Sequence, residues 1–391
     1  MLRDSPSKAC VILLAVLVGI NLRPIMASVG PLLDLMQDDL GLSNAEGGLL
    51  TTLPVMMMGL FALAGPWLLR IVGEVKGVGM GITLIALSCA ARIYVDSAGS
   101  IIATAMLGGI GIAFIQALMP AFIKRSHPES AGMLMGLFTT GIMGGAALAA
   151  ATAAPGAAFF GWKLTLGFAA LPAVLALVAW VLAAGRTSPY SASASLPYRN
   201  AQAWLLLVFF GIGTGAYTLV LAWLPPFYVQ VGWTAADSGY LLGALTLTEV
   251  IAGLLVSSLI HRFPDRRLLL ILVILLLISG LTCLIAAPNQ LALIAIVCLG
   301  MGIGALFPLT LIVTLDHASS PESASELLAF VQGGGYIIAA TMPVIAGFLR
   351  DHLSSLYWAW GLMIIGSVVL LALSAFLHPN SHRPIKLASD T

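Results

Sequence analysis

The stretch VILLAVLVGINLRPIMASVGPLL, residues 11–33, is apolar along nearly its whole length and contains a single charged residue, Arg23. An apolar run of about 20 residues is long enough to cross the hydrocarbon core of a membrane as a helix. We expect an uncleaved transmembrane helix, because no A-x-A-like cleavage site follows and the apolar pattern continues to Met36. Arg23 would then lie near the middle of the membrane, about 13 residues from the start of its helix.

The composition of the whole chain is typical of a polytopic membrane protein. Of its 391 residues, 60% are hydrophobic and only 8% are charged. A soluble domain carries roughly a quarter charged residues. The formal net charge of +1 provides no basic surface for nucleic acid. The four cysteines lie in apolar segments without CxxC spacing or paired histidines, so we expect no disulfide framework, no metal site and no cofactor.

Hydropathy predicts an all-helical protein with twelve membrane spans, each of about 20 or more mostly apolar residues. The predicted spans are 9–36, 45–72, 77–95, 100–123, 131–153, 160–184, 202–229, 236–261, 267–286, 290–314, 324–349 and 356–377. The only long polar stretch, GRTSPYSASASLPYRN at 185–200, is rich in serine and proline and is typical of a linker. It separates a predicted six-helix bundle at 1–184 from a second one at 201–391.

The two predicted bundles contain an internal repeat. The segment GGIGIAFIQALMPAFIKRSHPESA at 108–131 matches MGIGALFPLTLIVTLDHASSPESA at 301–324 without gaps, at a separation of 193 positions. A weaker match joins residues 41–50 to 232–241 at a separation of 191 positions. Because each bundle has an even number of spans, both cross the membrane in the same direction. The repeat is therefore predicted to be parallel, with its axis along the membrane normal.

Lysine and arginine are distributed unevenly between the loops on the two sides of the membrane. Of the seventeen, thirteen lie on the side of the termini and the linker, Arg23 lies within the first span, and three lie on the other side, namely Arg92, Lys163 and Arg350. Short cytoplasmic loops of membrane proteins are enriched in these residues. We therefore predict a multi-pass membrane protein with both termini and the linker facing the cytoplasm.

The predicted architecture and several motifs resemble a known family. Twelve spans in two parallel halves with a cytoplasmic central linker are similar to the major facilitator superfamily. Within it, four stretches resemble the branch of cyanate and 2-nitroimidazole transporters. They are GINLRPIMASVGPLLDLM, GLLTTLPVMMMGLFALAGPWL, LGGIGIAFIQALMPAFIKR and VLAWLPPFYVQVG. The N-x-R-P at 21–24 and the Q-A-x-M-P at 116–120 are more similar to the cyanate transporter. The resemblance implies secondary transport of a small solute by alternating access, in a bacterial inner membrane.

Arg23 and Glu249 are the charged residues predicted to lie near mid-membrane. An arginine there cannot lose its proton, so it must face protein or a water-filled cavity. Its planar fork can bind a small anion with two hydrogen bonds, and the alternative is a structural ion pair that joins the two halves. Glu249 is the candidate partner and the candidate for proton coupling. An anion that displaces Glu249 from Arg23 would let the carboxylate take up a proton. Pro24 predicts a kink beside Arg23.

The resemblance also indicates which helices line the transport cavity. In this superfamily the first, fourth, seventh and tenth helices line it, flanked by the second, fifth, eighth and eleventh. Polar and aromatic residues of these helices are candidates for substrate binding together with Arg23. They are Asn21, Gln116, Tyr217, Trp223, Phe307, Gln332 and Tyr336. For Gln116 and Gln332, an interhelical hydrogen bond is an equal alternative.

Two transport functions follow from these residues. Arg23 and the resemblance favour uptake of a small anion such as cyanate, coupled to protons, by a monomer in membrane lipid. The alternative is a proton-driven exporter of a neutral or aromatic compound such as a nitroimidazole, for which the aromatic candidates would form the site. An enzyme is not expected, because all six histidines lie in loops or at the ends of spans.

Overall fold

The computed structural model describes residues 6–185, 196–263, 265–318 and 321–377 and contains, within these ranges, twelve helical segments long and apolar enough to span a membrane. The predicted all-helical fold of twelve spans is thereby confirmed. The helices are α1 (Lys8–Ile20), α2 (Pro24–Ala27), α3 (Val29–Leu40), α4 (Asn44–Ile71), α5 (Glu74–Ala91), α6 (Ala98–Ser126), α7 (Ala131–Phe160), α8 (Trp162–Phe168), α9 (Ala170–Ala183), α10 (Ala201–Gln230), α11 (Ala235–Leu259), α12 (Arg267–Ala286), α13 (Ala292–Asp316), α14 (Pro321–Leu353) and α15 (Tyr357–Ser374). Most of the predicted linker, 186–195, and the tail, 378–391, lie outside the described residues.

The first span is broken, and not only kinked, at Pro24. The predicted single helix, 9–36, is divided into α1, α2 and α3. Pro24 has no N–H group to donate to the carbonyl of Ile20, so a regular helix loses one of its hydrogen bonds there. The amide of Leu22 instead donates to the carbonyl of Gly19 over 3.0 Å, which closes a tighter three-residue turn.

Other helix ends follow local sequence signals. Helix α4 begins with a capping box, in which Ser43 Oγ accepts a hydrogen bond from the Glu46 amide over 3.2 Å and the Glu46 carboxylate accepts one from the Ser43 amide over 2.8 Å. Helix α7 ends at Phe160 and is followed by its cap Gly161, whose φ of +78° is unfavourable for other residues. This helix passes through Pro155 and does not stop at the predicted residue 153. Neighbouring helices and local backbone adjustments tolerate proline in a membrane helix.

The first six spans (the first half) pack against the last six (the second half) through two helix pairs. Helices α4 and α14 meet on one side of the interface, and α7 and α11 meet on the other. A Cβ atom added at Gly48 would lie 2.5 Å from the carbonyl oxygen of Pro343, and one added at Gly239 would lie 2.6 Å from that of Ala150. Glycine is required at both positions because the backbones approach so closely. The exact boundaries of the two bundles at 185 and 200 remain a prediction.

Two ion pairs at equivalent positions support the parallel repeat. Glu74, at the start of α5, pairs with Arg125, near the end of α6. Arg266, directly before α12, pairs with Asp316, at the end of α13, with 3.1 Å between Nε and Oδ2. The equivalent residues are 192 and 191 positions apart, close to the separation of the repeated segments. Each pair joins the third span of its half to the fourth, with the two charges exchanged.

The bundle has a terminal end, which carries the start of α1 and the end of α9, and a distal end, which carries the connection between α3 and α4. Three basic residues were predicted on the distal side, Arg92, Lys163 and Arg350. Lys163 is partly exposed there and pairs with Asp39 over 3.2 Å. Arg92 is 1% exposed, and the side chain of Arg350 is 16% exposed, so both are largely buried at this end. The guanidinium of Arg92 donates to the carbonyl of Ile25 on α2, and that of Arg350 lies 3.8 Å from the carboxylate of Asp34 on α3.

Candidate substrate site

The break in the first span leaves Arg23 inside the protein with weak partners. The residue precedes α2 as its N-terminal cap and is 5% exposed. Its Nη1 atom lies 3.6 Å from the sulfur of Met58 on α4. Its guanidinium carbon lies 5.4 Å from the ring centroid of Tyr217 on α10, which belongs to the other half. Among the described residues, Nε has no hydrogen-bond partner. A thioether and an aromatic face stabilise a cation much less than a carboxylate does.

Glu249, on α11, is the second charged residue near this position. It is 5% exposed, and neither carboxylate oxygen has a hydrogen-bond partner among the described residues. Its backbone packs directly against Gly304 of α13, where an added Cβ would collide with it. Glu249 is within electrostatic range of Arg23, yet no described ion pair of 4.0 Å or less joins the two. The structural ion pair considered for Arg23 is therefore not formed in this structure.

Four aromatic residues of the second half lie near one another, and we call this group the aromatic wall: Phe210, Tyr217, Phe307 and Tyr336. Phe210 lies between two of the others, since its ring centroid is 5.6 Å from that of Phe307 and 5.3 Å from that of Tyr336. Tyr336 is within electrostatic range of both Arg23 and Tyr217. The hydroxyl of Tyr217 is buried and lacks a hydrogen-bond partner within the described ranges. The wall therefore brings a hydroxyl group without a protein partner close to the Arg23 guanidinium.

The other candidate residues are not brought to Arg23 by any described contact. The amide group of Asn21 donates to the carbonyls of Leu17 and Pro172 over 2.7 and 3.3 Å, which ties α1 to α9. Trp223 is fully buried, and its Nε1 donates to the carbonyl of Pro343 over 2.8 Å. Both side chains thus have packing partners. Gln116 and Gln332, on α6 and α14, are half-buried.

Sequence reasoning did not place Met58 or Phe210 at the site. Both are apolar residues in apolar spans, so nothing in their type or spacing separates them from core residues. Met58 has only the weak signal that it lies in the run of three methionines at 56–58. No group of three or more histidine, cysteine or acidic side chains in the described ranges is arranged to hold a metal ion.

At the distal end the two halves are joined by polar contacts that we call the distal latch, formed by Asp34, Asn44, Arg350 and Asp351. The Asp351 carboxylate accepts hydrogen bonds from the amides of Asn44 and Ala45 over 3.0 and 2.9 Å and from the Asn44 side chain over 2.7 Å. It thereby caps the first turn of α4 from the other half. Arg350 Nη2 lies 3.8 Å from Asp34 Oδ1, an interaction that also crosses the interface.

Comparisons with known proteins identify similar membrane transporters. The model of the Major Facilitator Superfamily matches residues 12–325 and 232–391. The chain is 39% identical over 369 residues to the cyanate transport protein CynX of Escherichia coli (strain K12), covering 92% of this chain and 95% of that protein. It is 31% identical over 368 residues to the 2-nitroimidazole transporter of the same organism, covering 92% of each.

Solved transporter structures share this architecture. The D-xylose-proton symporter matches with a TM-score of 0.75 at 14% identity, covering 94% of this chain and 97% of that one. A bacterial homolog of the human lysosomal transporter Spinster, in an inward-facing and occupied conformation, matches with a TM-score of 0.73 at 15% identity, covering 96% of each. At such identities these structures support the fold alone. The chain is a multi-pass membrane transporter and not an enzyme, and it belongs to the major facilitator superfamily.

Proposed function

We propose that this protein imports a small anion such as cyanate together with a proton by alternating access. The observation that carries the proposal is Arg23, a buried cation that contacts a sulfur atom and an aromatic ring but no described carboxylate. Burying a charge without a counter-ion is costly, and arginine cannot escape this cost by losing its proton. A small anion bound by the planar guanidinium would provide the missing charge. The similarity to a cyanate transport protein supports the same class of substrate.

Glu249 is the proposed coupling residue. Its buried carboxylate has no hydrogen-bond donor among the described residues, and the positive charge of Arg23 lies within electrostatic range of it. An anion bound to Arg23 would neutralise this charge, so that proton uptake by Glu249 becomes more favourable. Binding of the anion and of the proton would then promote each other, as symport requires.

The proposed direction of transport depends on the orientation of the bundle. The excess of lysine and arginine at the terminal end supports a cytoplasmic position for that end, for both termini and for the linker, in a bacterial inner membrane. The anion would enter from the distal side, and the distal latch would have to open for it to reach Arg23. We expect one chain to function as a monomer in the lipid bilayer, because Arg23 of the first half and Tyr217 of the second already complete the site.

Uptake of labelled cyanate into proteoliposomes tests this function. The wild-type protein is expected to take up cyanate, faster with an inward proton gradient than without one, and Arg23→Gln is expected to abolish this uptake. Lys163→Gln is the matched control, since it removes a basic residue at the distal surface that pairs only with Asp39 among the described ion pairs. Absence of uptake by folded wild-type protein would contradict the proposal.

A second candidate function is export of a neutral or aromatic compound such as a nitroimidazole. The aromatic wall supports it, because flat rings stack well against phenylalanine and tyrosine side chains. The similarity to a 2-nitroimidazole transporter points the same way. In this case Arg23→Gln would leave transport largely intact, whereas Phe210→Ala would impair it. Proton-driven efflux of a labelled nitroimidazole from preloaded cells distinguishes the two functions.

A further inference from the structure

Arg92 is a second buried arginine, which the proposed transport cycle does not use. It begins the 3-10 turn Arg92–Tyr94 that follows α5 and is 1% exposed. Its Nη1 donates a hydrogen bond to the carbonyl of Ile25 over 3.0 Å, and its Nε donates to Thr104 Oγ1 over 3.4 Å. Within the described ranges Nη2 has no partner. A guanidinium is costly to bury, so the acceptor at Ile25 is a main source of its stabilisation.

The carbonyl of Ile25 is available because the first span is broken. In a continuous helix it would accept a hydrogen bond from the amide of Val29. Helix α2 ends at Ala27, however, and no described backbone amide from another element donates to the Ile25 carbonyl. Arg92 supplies the donor that the helix lacks. Buried carbonyls at helix ends need such a partner.

Arg23 lies at the N-terminal end of the same short helix. Arg23 caps α2 two residues before Ile25, and α2 has only four residues. The side chain of Ile25 packs against Gly108 of α6, where an added Cβ would meet its Cδ1 atom. Helix α2 is thus held through the Ile25 carbonyl by the turn after α5, and through the Ile25 side chain by α6, both in the first half. Fixing Ile25 in this way also fixes the backbone from which Arg23 projects.

We propose that Arg92 is a positioning residue, which holds α2 through the Ile25 carbonyl and so directs the Arg23 guanidinium toward the transported anion. The inference rests on the proposed function for the role of Arg23, but its geometric part concerns α2 alone. Small displacements of a binding group reduce its effectiveness steeply. Arg92 would therefore act on substrate affinity without touching the substrate.

Hydrogen–deuterium exchange on the purified full-length protein tests the geometric part. Arg92→Met removes the donors while keeping a long side chain, and we expect exchange of the amides at 26–28 to rise about fivefold or more. Thr104→Val is the matched control, because it removes the other contact of Arg92 and leaves the one to Ile25. Unchanged exchange in Arg92→Met relative to Thr104→Val would overturn the inference. Arg92→Lys, which keeps one donor group, is used if the methionine variant does not fold.

Transport kinetics test the functional part. In Arg92→Met the KM for cyanate is expected to rise about tenfold, with partial recovery in Arg92→Lys. A purely structural role would lower the amount of folded protein and leave KM unchanged. Faster exchange at 26–28 with an unaltered KM would therefore also overturn the inference. Failure of the wild-type protein to take up cyanate would contradict the proposed function instead, and the exchange result would still decide whether Arg92 holds α2.

Discussion

The guanidinium of Arg23 lies over the ring of Tyr217, with 5.4 Å between its central carbon and the ring centroid. The two residues belong to different halves of the transporter, so their contact crosses the interface between the halves. Any rocking of one half against the other changes this contact, while the distal latch crosses the same interface nearer the surface. The geometry of the site is therefore coupled to the relative position of the halves, as alternating access requires.

Tyr217→Ala is expected to weaken cyanate transport more than Tyr217→Phe does. The alanine variant loses the cation–π interaction, which is worth about 1–2 kcal/mol when desolvated, so KM should rise about tenfold. The phenylalanine variant keeps the ring and loses only a hydroxyl that has no described partner. Initial rates of uptake at varied cyanate concentration measure both. Equal effects of the two substitutions would show that the hydroxyl, and not the ring, carries the interaction.

Glu249→Gln is expected to abolish stimulation of uptake by a proton gradient while preserving exchange of internal for external cyanate. Glutamine resembles the protonated acid, so the binding step remains possible but the proton is no longer carried. Measuring exchange and gradient-driven uptake on the same proteoliposomes separates the two effects. Glu129→Gln, at an exposed position, serves as the control. If gradient stimulation and its pH dependence survive in Glu249→Gln, another group couples the proton.

Asp351→Asn is expected to favour opening of the distal end. The substitution removes the negative charge that accepts three hydrogen bonds at the start of α4. Each hydrogen bond to a charged group is worth about 1.5–3 kcal/mol. The opening is measured with a reporter, Thr52→Cys, in a background without native cysteines. Asp351→Asn should accelerate labelling of this cysteine by a membrane-impermeant maleimide about fivefold or more. Asp96→Asn, at an exposed distal position, is the control. Equal labelling rates would mean that Asp351 does not stabilise distal closure.

Gly48→Ala is expected to impair transport by separating α4 from α14. The added methyl group would lie 2.5 Å from the Pro343 carbonyl oxygen, which is closer than van der Waals contact permits. Overpacking of this kind costs about 1–3 kcal/mol in the state where the helices meet. Gly144→Ala is a matched control, because no atom lies within 4 Å of the position of its added Cβ. Turnover of the two variants, measured at equal amounts of folded protein, should differ at least severalfold, and equal turnover would contradict this packing.

The fold could be predicted from the sequence because spans in a membrane need long apolar runs, and Arg23 and Glu249 stood out as charges within such runs. Contacts between side chains on different helices could not be predicted in this way. Asn21 was predicted at the site because it is polar, but its side chain donates a hydrogen bond to the carbonyl of Pro172. Met58 and Phe210 were missed because they are apolar like their surroundings. The burial of Arg92 was not predicted, because the Ile25 carbonyl that accepts its hydrogen bond becomes available only through the break at Pro24.

The central claim is that Arg23 binds the transported anion. Isothermal titration of cyanate into purified protein, kept short and at low temperature, measures this directly for the wild type, Arg23→Gln and the control Lys163→Gln. Hydrogen bonds to a charged group contribute about 1.5–3 kcal/mol, so Arg23→Gln should lose about tenfold or more in affinity, while Lys163→Gln should bind as the wild type does. Saturable binding of wild-type affinity in folded Arg23→Gln would contradict the account.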